Sequence, residues 1–480
     1  MNKPSILLGP IVGGLSHNNV NIWARANAQS TLHVWLATRA DLKDAEHVGE
    51  RELSSTEGFA GIVPLAKLKP DTQYHYAVSL RKSKPARTNF HTFTTFPKPS
   101  ARKSFSFVFG SCYLPNGEEG SLTFDEIHKH IEVDDLRFGL FLGDQIYADD
   151  AERNGIHKIA VTLDDYRSVY AHAWSRPPMK RLLPDLPLFM ILDDHEVDDD
   201  WRFNDPDRNA TSIPPHNRFL RQLRRVPIEQ RQLTKERIRA ALKAYYEHQA
   251  MHAPKMLLPL QTDLQGSFML QPEDEGTFAY ASTCGSAAFF VLDTRTQRVK
   301  KGKNVLLGET QWEQLEEWFR NVKDKYPVKF LVSSGTILFP FWLDVVADRW
   351  SGFRSERERL FEFLAVNETE GVHILTGDLH SAHVVSAEIK CPSGKRIPIW
   401  EFCSTPFEQE SMWISNTYHP ILFSKWIRNQ KKHYRQTGNN FGIVHVDFEG
   451  SVPRVSFTLH YNDNGWKTRP TIIGTNPLTS

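Results

Sequence analysis

Leu186-Pro187-Leu188-Phe189-Met190-Ile191-Leu192 runs straight into Asp193-Asp194-His195-Glu196. A short continuous apolar stretch of this kind reads as a strand buried on both faces, the habit of parallel strands in an α/β sheet. It stops on three carboxylates and an imidazole. Open α/β sheets bind ligands outside the carboxyl ends of their strands, so this terminus reads as part of a site.

Three further stretches repeat the design. Phe105 to Phe109 leads into Gly110-Ser111-Cys112, Leu136 to Leu142 into Gly143-Asp144-Gln145-Ile146-Tyr147, and Val372 to Thr376 into Gly377-Asp378-Leu379-His380. Each is a strand, then a glycine, then a side chain able to bind a metal. Glycine lets the backbone leave the strand sharply and approach a ligand closely. If the strands are parallel, their ends meet at one edge of one sheet.

The chain has 480 residues, 40% of them hydrophobic, with a formal net charge of +1. That length exceeds a comfortable single core, and two domains are expected. The charge balance gives no electrostatic pointer to nucleic acid or to an anionic membrane as a stable partner. Apolar runs fall well short of the ~20 residues that span a bilayer. The N-terminus carries no basic region with a cleavage motif and no twin arginine, so a cytoplasmic location is expected on the sequence as given. Cys112, Cys284, Cys391 and Cys403 form no Cys-x-x-Cys pair, which argues against a disulfide framework or a structural zinc site.

From Ile6 to Phe96, alternating segments such as Val20 to Arg25, Leu32 to Ala37 and Tyr74 to Val78 predict half-buried antiparallel strands. Leu65 to Tyr74 resembles the leucine-proline-tyrosine turn of fibronectin type III sandwiches. We therefore expect a β-sandwich over residues 1–97, a size usual for immunoglobulin-like domains. His17, His33, His75 and His91 are scattered and read as structural or exposed. Pro97 to Ser100 is the natural linker to a second domain over 103–470.

In that second domain, Ser121 to Ile127 suggests a helix completing a βαβ unit, and Leu163 to Leu183 a further helix with its connection. Residues 205–259 read as a helical excursion, with a helix from Lys235 to Met251 and arginines belonging to a solvated face. Thr310 to Glu313 and Ser355 to Glu358 read as capping boxes. Alternation of strand and helix argues for a layered α/β domain, whose last strands, from Val384 to Leu459, close a second sheet. Specificity is expected to lie in the excursion and in a loop from Thr405 to Gly438.

Cys112 and Tyr147 beside Asp144, Asp194, Asp378 and His380 make a mixed donor set. Hard ions favour carboxylate and phenolate oxygen, whereas a thiolate suits softer or redox-capable metals. The set points to a dinuclear centre with one iron-like and one calcium- or magnesium-like position. Asp144 is the best bridge, since two metals ~3.5 to 4 Å apart can share a carboxylate. His195, adjacent to a ligand, is left to act as general acid or to hold phosphate.

In order along the chain, Gly110-Ser111-Cys112, Gly143-Asp144-Gln145-Ile146-Tyr147, Asp193-Asp194-His195-Glu196-Val197, Asp293-Thr294-Arg295 and Gly377-Asp378-Leu379-His380 resemble the motifs of the PhoD-like alkaline phosphatases (alkaline phosphatase D). The resemblance implies a calcineurin-like αββα metallophosphoesterase fold, a purple iron–calcium centre, and hydrolysis of phosphomonoesters and phosphodiesters as small substrates. Carried over by position, Cys112, Asp144, Tyr147 and His380 lie on the iron (Fe3+) side. Asp144, Asp194 and Asp378 lie on the side of calcium or another divalent cation such as Mg or Mn. His195 then sits near the leaving group, with Arg295 a phosphate contact. Asp198-Asp199-Asp200 departs from the family, which tends to carry asparagines there. The alternative is a non-catalytic binding protein on a degenerate phosphatase scaffold.

Overall fold

The computed structural model describes residues 3–117, 120–205, 207–212, 215–223, 226–300, 302, 304–339, 349–411 and 420–475. Two antiparallel sheets come first. One has three strands in the order Ile6–Gly13, Asn19–Ala26, Ala60–Ala66, and the other four in the order Glu46–Leu53, Ser30–Ala37, Gln73–Ser79, His91–Thr94. Their alternating apolar residues, among them Val20, Ile22, Val63, Leu32, Val34 and Tyr76, are buried in one cluster. Trp23 points the other way. Its indole donates to Glu247 O at 2.9 Å, tying this part of the chain to the helix Lys235–His248.

After residue 104 the chain builds two seven-stranded sheets. The first has a parallel core of Leu188–Met190, Leu136–Phe141 and Phe105–Gly110, continued by the antiparallel strands Asn440–Asp447 and Arg454–Asn462. The second runs Tyr280–Cys284, Ala287–Val291, Val328–Val332, Val372–Thr376, Arg396–Cys403, Ala382–Lys390, Ile427–Gln436. Phenylalanines lock the sheets face to face. Phe107 meets Phe330 edge-on with ring centroids 5.3 Å apart, and Phe138 meets Phe289 at 5.7 Å. Period-two alternation puts the intervening residues on the outer faces. There Val108, Phe141 and Met190 pack under the helical residues Phe124, Trp174 and Ile238, while Phe290, Leu331 and Ile374 pack under Trp312, Phe319 and Leu360. Each fully buried side chain of this size contributes roughly 1.5–3 kcal/mol. The result is helices, sheet, sheet, helices.

Several expectations change. The four strand ends do not share a sheet: three belong to the first and Val372–Thr376 to the second. Apolar runs do not encode which sheet a strand joins, and here the ends converge because the sheets are stacked. The late strands likewise do not close a sheet of their own but divide between the two. Leu186 to Leu192 shrinks to the three-residue strand Leu188–Met190, preceded by Pro187, which has no N–H to offer a ladder. Leu163 to Leu183 splits into Leu163–Trp174 and Pro177–Leu182, with Pro177 opening the second helix.

Neither expected capping box forms. Those helices start after Gly308 and Phe353 without a side-chain cap. Glu358, the acid of the second box, instead accepts from Ser424 Oγ at 3.0 Å, while Glu356 accepts from the Leu306 and Leu307 amides and the Trp312 indole. Thr162 and Asp165 form a true box. The expected Thr405–Gly438 loop contains the strand Ile427–Gln436, and its residues 412–419 lie outside the described residues. Among the described residues no helix is long and apolar enough to cross a membrane.

The two sheets come into close contact at the turn after Thr376. A Cβ on Gly377 would lie 2.4 Å from Ser111 Oγ. Gly377→Ala is expected to destabilise the protein by about 1–3 kcal/mol, the usual range for overpacking. Urea unfolding checks this, and an unmoved midpoint would count against so tight a contact.

Candidate metal centre

The side chains singled out from sequence are carried on sharp turns just beyond their strands. Cys112, Asp144, Asp378 and His380 all adopt left-handed backbone, with φ of 62°, 53°, 68° and 49°. Non-glycine residues rarely sit there, and such strain persists where surrounding structure over-determines it. Here that structure is visible. Gly143, at φ 93°, leaves no space for a Cβ, which would fall 2.4 Å from Asp193 Cβ. The buried Glu196 carboxylate accepts from the amides of Asp144 (3.1 Å), Gln145 (2.7 Å) and Asp193 (3.0 Å), and from Gln249 Nε2. One carboxylate thereby clamps two of the turns.

Cys112, Asp144 and His380 bring one potential ligand atom each within 4.8 Å of one another, and Asp144, Asp194 and His195 do the same. Asp144 belongs to both groups. Cys112 Sγ lies 3.4 Å from Asp144 Oδ2, and Tyr147 Oη lies 3.0 Å from His380 Nε2. Asp194 forms a third group with Asp199 and Asp200, whose amide donates to Asp194 Oδ2 at 2.6 Å. Asp378 stands beside these groups rather than within them: its Oδ2 accepts from Arg349 Nε at 2.6 Å. Arg295 is buried. Its Nε pairs with Asp193 Oδ1 at 2.5 Å, a contact shared by Ser334 Oγ, and its Nη2 lies 3.2 Å from Asp194 Oδ1.

His195 Nδ1 donates to Asp149 Oδ1 at 2.8 Å, and its ring lies 4.1 Å from that of Tyr147. Burial alone would hold this imidazole neutral, but the charges of Asp149, Asp144 and Asp194 outweigh it and push its pKa well up. Burial raises Asp149 less than His195 and Arg221 lower it, leaving it at about 2. Elsewhere burial dominates. It lifts the Cys112 thiol to about 12, raises Asp144 and Tyr147 well above their ordinary values, and drops His380 to about 4.

Burial thus works against negative charge on the Cys112 thiol, the Tyr147 phenol and the Asp144 carboxyl. The donor set suits a cation: thiol, phenol, imidazole and carboxylate converge. A metal ion would reverse the pKa logic, since a coordinating thiol or carboxylate gives up its proton.

Sequence reasoning missed Asp149, Arg349, and Glu196 as the clamp. The excursion's arginines were misjudged as solvated. Arg221, on Pro215–Leu223, and Arg237, on Lys235–His248, are buried and converge on Asp198, with Nη2 atoms 2.8 and 2.5 Å from its carboxylate oxygens. The first of the three aspartates at the departure from the family pattern thus has its charge answered by the excursion. Asp149 had a weak signal, lying two residues beyond Tyr147; Arg349 had none.

Comparison with known proteins came to the same region. The family described as PhoD-like phosphatase matches residues 107–457. Alkaline phosphatase D of Bacillus subtilis (strain 168) is 27% identical over 322 residues, 60% of this chain and 48% of the relative, so the chain spans about half the length of that curated relative. Among solved structures, one titled "Structure of PhoD" has a TM-score of 0.67 at 18% identity, covering 98% of this chain and 90% of the other. The purple acid phosphatase PPD1 from yellow lupin (Lupinus luteus) seeds has a TM-score of 0.57 at 12% identity, covering 99% and 74%. At these identities the structural likeness is one of fold.

The His195–Asp149 pair has a pH signature in the metal-free protein. A raised histidine pKa stabilises the fold below the ordinary value and loses that contribution as pH rises through the folded pKa; a depressed aspartate stabilises above its ordinary value and loses it as pH falls through about 2. The full contribution therefore falls between roughly pH 4 and 6.5. Asp149→Asn is expected to lower stability in that window and to shift the alkaline loss to lower pH. Urea midpoints from pH 5 to 9 check this; parallel curves for variant and wild type would contradict it.

Proposed function

We propose that this chain, which belongs to the PhoD-like phosphatase family, hydrolyses phosphomonoesters and phosphodiesters at a dinuclear metal centre. The observation that carries the reading is the double membership of Asp144 in two adjacent groups of ligand atoms. A carboxylate with two oxygens in that position suits a bridge. Cys112, Tyr147 and His380, with Asp144, would hold an Fe3+ ion. Asp194 and Asp378, again with Asp144, would hold calcium or another divalent cation. When bound, such a pair supplies a water of lowered pKa and neutralises charge on the phosphoryl group.

The chain's own groups do the rest. His195, kept protonated by Asp149, offers a proton to the leaving oxygen. Arg295, fixed by Asp193, supports the acidic wall and stands as a candidate phosphate contact. Asp193 and Glu196 hold the turns in place, so a small phosphate ester meets side chains already oriented. We read residues 1–97 as a fibronectin-III-like sandwich and 103–470 as the catalytic unit, with the excursion of 205–259 packed against it. Support for the sandwich comes from Tyr74, whose hydroxyl accepts from the Lys69 amide at 2.8 Å, the tyrosine corner of immunoglobulin-like folds.

Elemental analysis with assays on aryl phosphate and bis-aryl phosphate tests the reading. Asp144→Asn is expected to lose both metals and all measurable hydrolysis, and Cys112→Ala to lose iron preferentially. His195→Ala should keep its metals and lose roughly 10²–10⁴ in kcat. Metal-free protein that hydrolyses at the wild-type rate would overturn the proposal.

A further inference from the structure

On a different sheet from those that carry that centre, the one containing Ser30–Ala37 and Glu46–Leu53, three side chains meet. His33 Nδ1 lies 3.1 Å from His47 Nε2 and 3.2 Å from Glu50 Oε2, and His47 Nε2 lies 3.7 Å from the same oxygen. Regular pairing would not bring them together. His33 and Glu50 are direct cross-strand partners, Val34 faces Gly49, and regular register would then put His47 on the opposite face of the sheet. A register shift between Val34 and Trp35 makes His47, instead of Val48, the partner of Trp35, turning its imidazole to the side of His33 and Glu50. Bulges re-aim side chains in this way, commonly beside functional sites.

The spacing suits one ion. Ligand atoms on a tetrahedral metal with bonds of about 2.0–2.1 Å stand roughly 3.3–3.4 Å apart, and the three separations here bracket that value. Two imidazoles and one carboxylate select zinc, nickel or copper over calcium or magnesium, which take oxygen. His33 is buried, while the Glu50 side chain is 48% exposed, so the fourth position opens to solvent. The Trp35 ring packs edge-on against His47 at 5.6 Å and limits its rotation.

We propose that His33, His47 and Glu50 form a second metal site, for a divalent transition ion of the zinc class, independent of the catalytic centre. The ion cross-links the edge strand Glu46–Leu53, most of whose residues are at least partly exposed and bury little apolar surface, to its neighbour Ser30–Ala37. Lys82, whose Nζ lies 3.3 Å from Glu50 Oε2, competes with it for the carboxylate.

Calorimetric titration of the purified protein, its catalytic metals in place, with zinc chloride tests the site. Wild type is expected to take up one equivalent more than His47→Ala, with Glu50→Gln weakened at least about tenfold. Hydrolysis should be unchanged in both variants, separating this result from any failure of the catalytic reading. Lys82→Ala should tighten binding, by up to about fivefold, since an exposed competing charge is worth at most ~1 kcal/mol. Circular dichroism confirms folding of each variant, and Glu50→Gln, at an exposed position, keeps the test valid if a histidine variant fails to fold. Equal uptake by wild type and His47→Ala, or no uptake by wild type, overturns the proposal.

Discussion

Everything at the candidate centre depends on how closely two sheets approach at one corner. Gly377 leaves the second sheet against Ser111, which has just left the first, and the Asp378 amide donates to Ser111 Oγ at 3.1 Å. That hydrogen bond spans 267 residues of sequence. Without it the thiol and carboxylate of one sheet and the carboxylate and imidazole of the other would have no common pocket. The phenylalanine layer supplies the force holding the sheets together, and the glycine removes the Cβ that would hold them apart.

Around that corner the chain gathers charge that burial disfavours. Burial lifts Asp193 to about 7 even with the Arg295 guanidinium opposing it, and Arg349 holds Asp378 below its ordinary value despite burial. Asp198 is fully enclosed and meets Arg221 and Arg237 of the helical excursion. Replacing one partner of such a network typically costs 3–5 kcal/mol, because it strands a buried charge. The excursion is thus bound to the turn that carries Asp194 and His195 through electrostatics as well as through apolar packing.

The local features of this architecture were legible in the sequence. Apolar runs ending in a ligand type, three of them through a glycine, located four turns, since strand burial and turn chemistry are set by neighbouring residues. The sheet to which each strand belongs was not legible, because Val372–Thr376 and Phe105–Gly110 are both fully buried strands and their sheet is set by distant partners. The capping boxes failed for a related reason: Glu358 had the right spacing to cap but accepts from Ser424 Oγ and the Lys425 amide, a tertiary use that local pattern cannot foresee. Arg221 and Arg237 looked solvated by composition and are buried by pairing. Of the candidate site, the sequence named the groups proposed to carry chemistry and left hidden those that orient them, Asp149 and Arg349 above all.

The central claim is that a pair of cations is gripped between the turns of the two sheets, with Asp144 between them. Anomalous diffraction from crystals of the purified protein, recorded on either side of the iron edge, tests it most directly. The account predicts an iron peak bounded by Cys112, Tyr147 and His380 and a second ion roughly 3.5–4 Å away across the Asp144 carboxylate. Two ions that both avoid Asp144, or a pocket whose thiol and carboxylates contact no ion in active crystals, would contradict it.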